Sequence, residues 1–106
     1  MAVYKNITSV STGNVGTVLI AKNGNVSSNI SKITVSNNSA NTATVRVYLG
    51  EDNANTTDFY FIKGVEIPTA STLVLSDNLK FDKNRFNLII HNAGTSPDLT
   101  VIVKWN

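Results

Sequence analysis

Residues 30–49 read ISKITVSNNSANTATVRVYL, and this stretch decides the fold. Ile33 and Val35 alternate with Lys32, Thr34 and Ser36; beyond a polar break, Val45, Val47 and Leu49 alternate with Thr44, Arg46 and Tyr48. Successive side chains of an extended chain point to opposite faces, so each run is a strand with one face for a core and one wetter face. A helix would need a sustained apolar stripe at three- and four-residue spacing, and the chain carries none. Between the two runs, Asn37 to Asn41 (NNSAN) reads as a hairpin loop.

Outward from there the period of two recurs. Phe86, Leu88 and Ile90 alternate with Arg85, Asn87, Ile89 and His91, which places His91 on a solvent-facing side. Leu99, Val101, Val103 and Trp105 alternate with Thr100, Ile102 and Lys104, so Trp105 belongs with the core. Asp58 to Ile67 (DFYFIKGVEI) is apolar on both faces in its first half, as a central strand is, with Gly64 marking a bulge or a close approach. Asn23-Gly24, lying between Val18-Leu19-Ile20 and Val26, is a strong two-residue hairpin signal. Gly50 to Thr57 (GEDNANTT) is a longer polar loop, and Asn92 to Pro97 (NAGTSP) joins the last two strands. Ser76-Asp77-Asn78 and Asp82-Lys83-Asn84 are tight turns in which Asp77 and Asp82 accept local backbone hydrogen bonds.

The expected strands are Tyr4–Val10, Val15–Ala21, Val26–Val35, Ala43–Leu49, Asp58–Ile67, Thr72–Leu75, Arg85–Asn92 and Leu99–Trp105, with a short extra one at Leu79–Phe81. Such spacing gives an all-β fold: a two-layer antiparallel β-sandwich, jelly-roll or immunoglobulin-like, of about eight strands in a single domain over residues 1–106.

Composition narrows the function classes. With 106 residues, 42% of them hydrophobic, the chain can build one core. Cysteine is absent, which removes disulfides and thiolate zinc sites. The longest apolar run, Val15 to Ala21, is strand-sized, so no membrane span is expected. The opening MAVYKN lacks the basic and apolar blocks of a signal peptide, so export by a cleaved leader is not expected. Asn6-Ile7-Thr8, Asn29-Ile30-Ser31 and Asn55-Thr56-Thr57 are glycosylation sequons of the kind that Asn- and Thr-rich chains form by chance.

A net charge of +2, carried by singly dispersed lysines and arginines, makes no stripe for nucleic acid. Charged residues are only 15% of the chain, against about 25% in ordinary soluble domains. Asn, Ser and Thr fill the gap. Neutral polar groups lose less hydration on burial than ions do, so such a surface suits packing against other protein.

No catalytic set stands out, and an enzyme is not expected. His91 is the sole histidine and has no neighbouring nucleophile and carboxylate to form a triad. Glu51, Asp52, Asp77, Asp82 and Asp98 fall in turns, with no spacing that sets two across a cleft. The oxygens of Glu51 to Asp58 invite a calcium reading, but Ala54 and Thr56 stand where alternate ligands belong. Gly13 and Gly16 precede no helix that could cradle phosphate. No metal or cofactor is expected. Tyr48, Tyr60 and Trp105, if exposed on one face, would suit a carbohydrate-binding or adhesin module.

Five segments carry a resemblance: the opening MAVYKNIT, ISKITVSNNS (30–39), ATVRVYL (43–49), VEIPTASTLVL (65–75) and LTVIVKW (99–105). Their texture resembles the small β-sandwich virion proteins of tailed bacteriophages, notably the phages of marine cyanobacteria. The closing Lys104-Trp105-Asn106 departs from the acidic ends of similar chains. The resemblance brings no active-site motif and implies a place in the particle. The leading expectation is a capsid decoration or cement protein on the assembled shell; the alternatives are a tail or neck accessory protein, or the carbohydrate-binding module. It implies assembly in the host bacterial cytoplasm, which the lack of cysteine suits, with the major capsid protein or another virion protein as partner. Self-association is expected as well, a trimer among the candidates. The contact residues expected are Tyr4 on the first strand, Glu51, Asp52, Asn53, Asn55 and Thr57 in one loop, and Asn92, Thr95 and Ser96 in another.

Overall fold

A computed structural model describes residues 1–13, 15–24, 29–51, 58–76 and 79–105. The described chain is all strand and connection. In order the strands are β1 (Ala2–Ile7), β2 (Thr17–Ile20), β3 (Asn29–Asn37), β4 (Ala43–Gly50), β5 (Asp58–Ile67), β6 (Ser71–Leu75), β7 (Leu79–Lys80), β8 (Asn87–Ala93) and β9 (Leu99–Trp105). One sheet runs β1-β9-β3-β6, with β7 also on β3; the other runs β2-β8-β4-β5. All pairings are antiparallel. The chain passes from sheet to sheet at nearly every connection, the β4–β5 hairpin being the clearest exception. This strand order is the double Greek key of a jelly roll, which decides between the two sandwich types expected.

The alternating residues fill the space between the sheets. Ile30, Ile33 and Val35 of β3, Val45 and Val47 of β4, Leu88 and Ile90 of β8, and Leu99, Val101 and Val103 of β9 are all fully buried. The central strands β9, β3, β8 and β4 therefore carry most of the core. Trp105 packs against it, partly buried, as its place in the Val101–Val103 series requires.

Two expected hairpins are crossovers. The NNSAN stretch joins β3 to β4, which lie in different sheets. Asn37 turns the corner: its amide continues the inward series Ile33, Val35 and is buried there. Its Nδ2 donates to the carbonyls of Asn41 and Ile67, each at 2.8 Å, and its Oδ1 accepts from the backbone N–H and hydroxyl of Ser39. The chain at Asn23-Gly24 likewise leads from β2 in one sheet to β3 in the other. Asn23 does adopt the left-handed conformation, φ 61°, and Gly24 N–H closes a turn on Ala21 O. The turn is thus centred one residue earlier than read, on Lys22-Asn23 with Gly24 outside the left-handed region, and the next strand goes to the other sheet.

DFYFIKGVEI is an edge strand and not a central one. Its register with β4 shifts between Val45 and Val47 and again between Val47 and Tyr48, so β5 carries extra residues against its partner. Gly64 sits in the first of these irregularities with φ 70°, the left-handed conformation a bulge glycine supplies. These bulges upset strict alternation, and both Phe61 and Ile62 pack against the core. Elsewhere the boundaries shift modestly. β1 ends at Ile7 and not Val10, β2 spans only Thr17–Ile20, and β8 starts at Asn87 because Arg85 and Phe86 N–H groups bond back to Asp82 O. Asp82 also accepts from Asn84 N–H, the expected turn. Val26 and the Asp77 turn lie outside the described residues.

The outer face of the β2-β8-β4-β5 sheet is less wet than alternation suggests. In register across it stand Ile89, Tyr48 and Tyr60. Ile89 and Tyr48 are buried there, away from the core. The Tyr60 ring stands beside that of Tyr48, their centres 5.4 Å apart. Ile89 is covered by the backbone at Gly16, where an added Cβ would stand 2.7 Å from Ile89 Cγ2.

Candidate functional site

The jelly roll gathers its loops at two ends, and the ends differ in chemistry. Register places Ile7, Asn37 and Ser71 with Leu99 at one end of the first sheet, and Ala43, Ile67 and Ala93 at the same end of the second. The connections 8–16, 38–42, 68–70 and 94–98 therefore cluster there. Their sequences are Thr, Ser, Asn, Gly, Ala, Val and Pro, with Asp98 as the single formal charge. At the opposite end, the described connections hold Lys22, Glu51, Asp82, Lys83 and Arg85.

The neutral end is tied together by hydrogen bonds among neutral groups. Beyond the Asn37 corner, Asn41 Nδ2 donates to Thr95 O at 3.1 Å, and Asn38 reaches across with its N–H to Asp98 O at 2.8 Å and its Nδ2 to Thr100 Oγ1 at 2.9 Å. The Thr69 hydroxyl donates to Ser39 O, and Ala70 N–H to Asn37 O. Ala70 and Ser96 hold left-handed backbones, φ 59° and 47°, without being glycine. Loops fixed in this way lose little conformational freedom on meeting a partner.

The connection 8–16 also straps the outer edge of β8. Ser11 N–H donates to Asn92 O, Asn92 N–H donates to Ser11 Oγ, and Asn92 Nδ2 donates to Ser9 O. His91 Nε2 lies 2.8 Å from Gly13 O. A carbonyl only accepts, so Nε2 carries the proton in that bond. Gly16 then lies so close to β8 that a Cβ would stand 2.6 Å from Ile90 O and 2.7 Å from Ile89 Cγ2. Between the strap and β1 opens a cleft of about 400 Å³ lined by Lys5, Ile7, Val10, Val15 and a row of hydroxyls. It is open to solvent, and among the described residues no carboxylate or histidine lines it.

His91 is thus buried under the strap, a correction to its expected solvent-facing position: alternation gives the face correctly but does not reveal what covers it. Among the described residues no three His, Cys, Asp or Glu side chains group as metal ligands. Glu51 pairs with Arg85 at 2.8 Å, both substantially exposed, an ion pair of well under about 1 kcal/mol. Glu66 lies on β5, Asp82 in its turn and Asp98 at the neutral end, so these carboxylates do not converge on His91. The loop weighed for calcium lies largely outside the described residues. No helix among the described residues is long and apolar enough to cross a membrane.

The expected contact residues separate. Tyr4 is 71% exposed on the outer face of β1. Thr95 and Ser96 are exposed at the neutral end, while Glu51 is half-buried at the charged end. Asn92 is fully buried and bonded to the strap, so it is no contact residue; it continues the inward series Leu88, Ile90. Asp52, Asn53, Asn55 and Thr57 lie outside the described residues. Of the rings considered for sugar stacking, Tyr48 is buried, Trp105 packs on the core, and Tyr60 is partly covered with Lys63 Nζ 4.9 Å from its centre. Sequence reasoning missed Asn37 as a structural amide and took Asn92 for a surface contact. The signal was present, since each is an amide standing in register with an apolar series at a strand end.

Compared with models of known families, with curated proteins and with solved structures, the chain matches none.

Proposed function

We propose that this chain is a non-enzymatic structural protein of a phage particle, a capsid decoration or cement protein that docks on the assembled shell through its neutral end. The observation that carries the reading is the partition of charge: one end of the jelly roll is built from pre-tied, nearly uncharged loops, the other from charged turns. Desolvating hydroxyls and amides costs far less than desolvating ions, so the neutral end is the one that packs readily against protein. Binding only the assembled lattice stabilises that lattice by mass action. The jelly roll is a fold that viral capsid proteins use, and lectins and cupins use it too, so the fold supports the reading without carrying it.

The test begins with mass spectrometry of purified virions from the phage that encodes the chain. Stoichiometric presence is expected; absence ends the proposal. In particles reconstituted with variants, Ala40→Lys and Thr95→Lys at the neutral end should lower occupancy at least about tenfold, the effect of roughly 1.4 kcal/mol. Lys83→Ala at the charged end should leave occupancy unchanged.

A further inference from the structure

We infer that a second copy of this chain joins at the outer edge of β6, pairing strand to strand about a two-fold axis at Leu73. Besides the two-residue β7, which ends in Lys80, four described strands stand at the edges of the two sheets: β1, β6, β2 and β5. Exposed edges invite pairing with other chains, and proteins block them with bulges, short strands or charges pointing inward. Three edges are blocked. β1 carries Lys5 on its inward side, in register with the core residue Val101. β2 has four residues and a register shift between Val18 and Ile20. β5 has two register shifts and an exposed Lys63. β6 has none of these devices: Ser71–Leu75 is uncharged, free of proline, and pairs with β3 without interruption from Ser71↔Asn37 to Leu75↔Ile33.

A second feature lies beside that edge. The flank between β5 and β6 leaves the core incompletely closed. Phe61, Ile62, Leu73, Leu75 and Leu79 pack against the core but stay partly exposed, and Phe59 is 52% exposed; on the outer face of the same edge Val74 is 49% exposed. With an aromatic side chain offering roughly 150–250 Å² and the aliphatic ones somewhat less, this flank together with Val74 leaves on the order of 350 Å² of apolar surface per copy. Interfaces are about 60% apolar, so two such flanks correspond to roughly 1,200 Å² in total, the lower bound of a stable dimer.

The occupant follows from charge and register. A neutral strand finds its match in a neutral strand, and an antiparallel copy of β6 presents no like charge to itself. Centred on Leu73, the pairing sets Thr72 opposite Val74 of the partner copy on the outer face and keeps both leucines inward, where the two apolar flanks meet. The two four-stranded paths fuse into one continuous sheet. This does not depend on the virion reading.

Sedimentation equilibrium of the full chain, from about 1 μM to 1 mM, tests it. A monomer–dimer equilibrium in the micromolar range is expected, weakened at least tenfold by Val74→Lys and unaffected by Tyr4→Lys at the opposite edge of the same sheet. The chain has no cysteine, so register is read directly. A mixture of Thr72→Cys and Val74→Cys chains should form the mixed disulfide in preference to either like pair, since opposed residues on paired strands lie within disulfide reach. A chain that stays monomeric throughout, a trimer, or preferential cross-linking of like chains overturns the inference.

Discussion

At the scale of the residue, Asn37 shows how one side chain can direct the chain between layers. Its amide has two donors and two main acceptor directions, and all are used: Asn41 O, Ile67 O, Ser39 N–H and Ser39 Oγ. Removing it leaves buried carbonyls without their partner, at about 1–3 kcal/mol. We expect Asn37→Ala to lower the unfolding free energy by about 2 kcal/mol, measured by urea titration. Asn37→Asp should cost more than the alanine, because a carboxylate oxygen would replace the Nδ2 donor against two carbonyls. An aspartate as stable as the alanine would contradict the assigned orientation. Ala70 offers a converse case. Its left-handed backbone costs an L-residue roughly 1–2 kcal/mol. Ala70→Gly should therefore leave thermal stability unchanged or raised, where the same change in an ordinary loop lowers it.

At the scale of the element, alternation revealed strands but not their neighbours. Asp58–Ile67 and Leu99–Trp105 were readable to the residue because their apolar and polar positions begin and end sharply. What stayed hidden was partnership. Asn23-Gly24 and NNSAN carry sound turn chemistry, yet a turn constrains only three or four residues, and whether the next strand returns to the same sheet depends on distant pairings such as Leu99 with both Ile7 and Asn37. The burial of His91 was hidden for the same reason: its cover, Gly13, lies 78 positions away. The strap 8–16 is itself testable. Gly16→Ala must push the strap from β8, at about 1–3 kcal/mol of overpacking. Hydrogen exchange at Ser11 N–H should quicken in that variant while exchange in β3 and β9 stays slow. Uniform change across all strands would mean that the strap is not a separable element.

At the scale of the whole molecule, the division into a neutral and a charged end sets how association should respond to solvent. Ions screen charge pairs but not the packing of amides, hydroxyls and methyl groups. Occupancy on particles is therefore expected to hold between about 50 and 500 mM salt, a range over which a charge-driven contact weakens strongly. A steep fall in occupancy with salt would move the contact to the end bearing Lys22, Lys83 and Arg85. The end was not visible in sequence as an end. Each neutral loop could be read by itself, but their convergence needs the crossover topology that brings 8–16, 38–42, 68–70 and 94–98 together.

The placement of β9 between β1 and β3 has a consequence for synthesis. The strands at the middle of both layers, β8 and β9, are made after the strands they bridge. Until then β1 has no neighbour to bond, and half-built layers cannot close. The two layers close only once β9 is in place, in one cooperative event governed by long loop closures, slower than helical chains of its size. Trp105, the sole tryptophan and a residue of that final strand, is the natural fluorescent reporter of the moment.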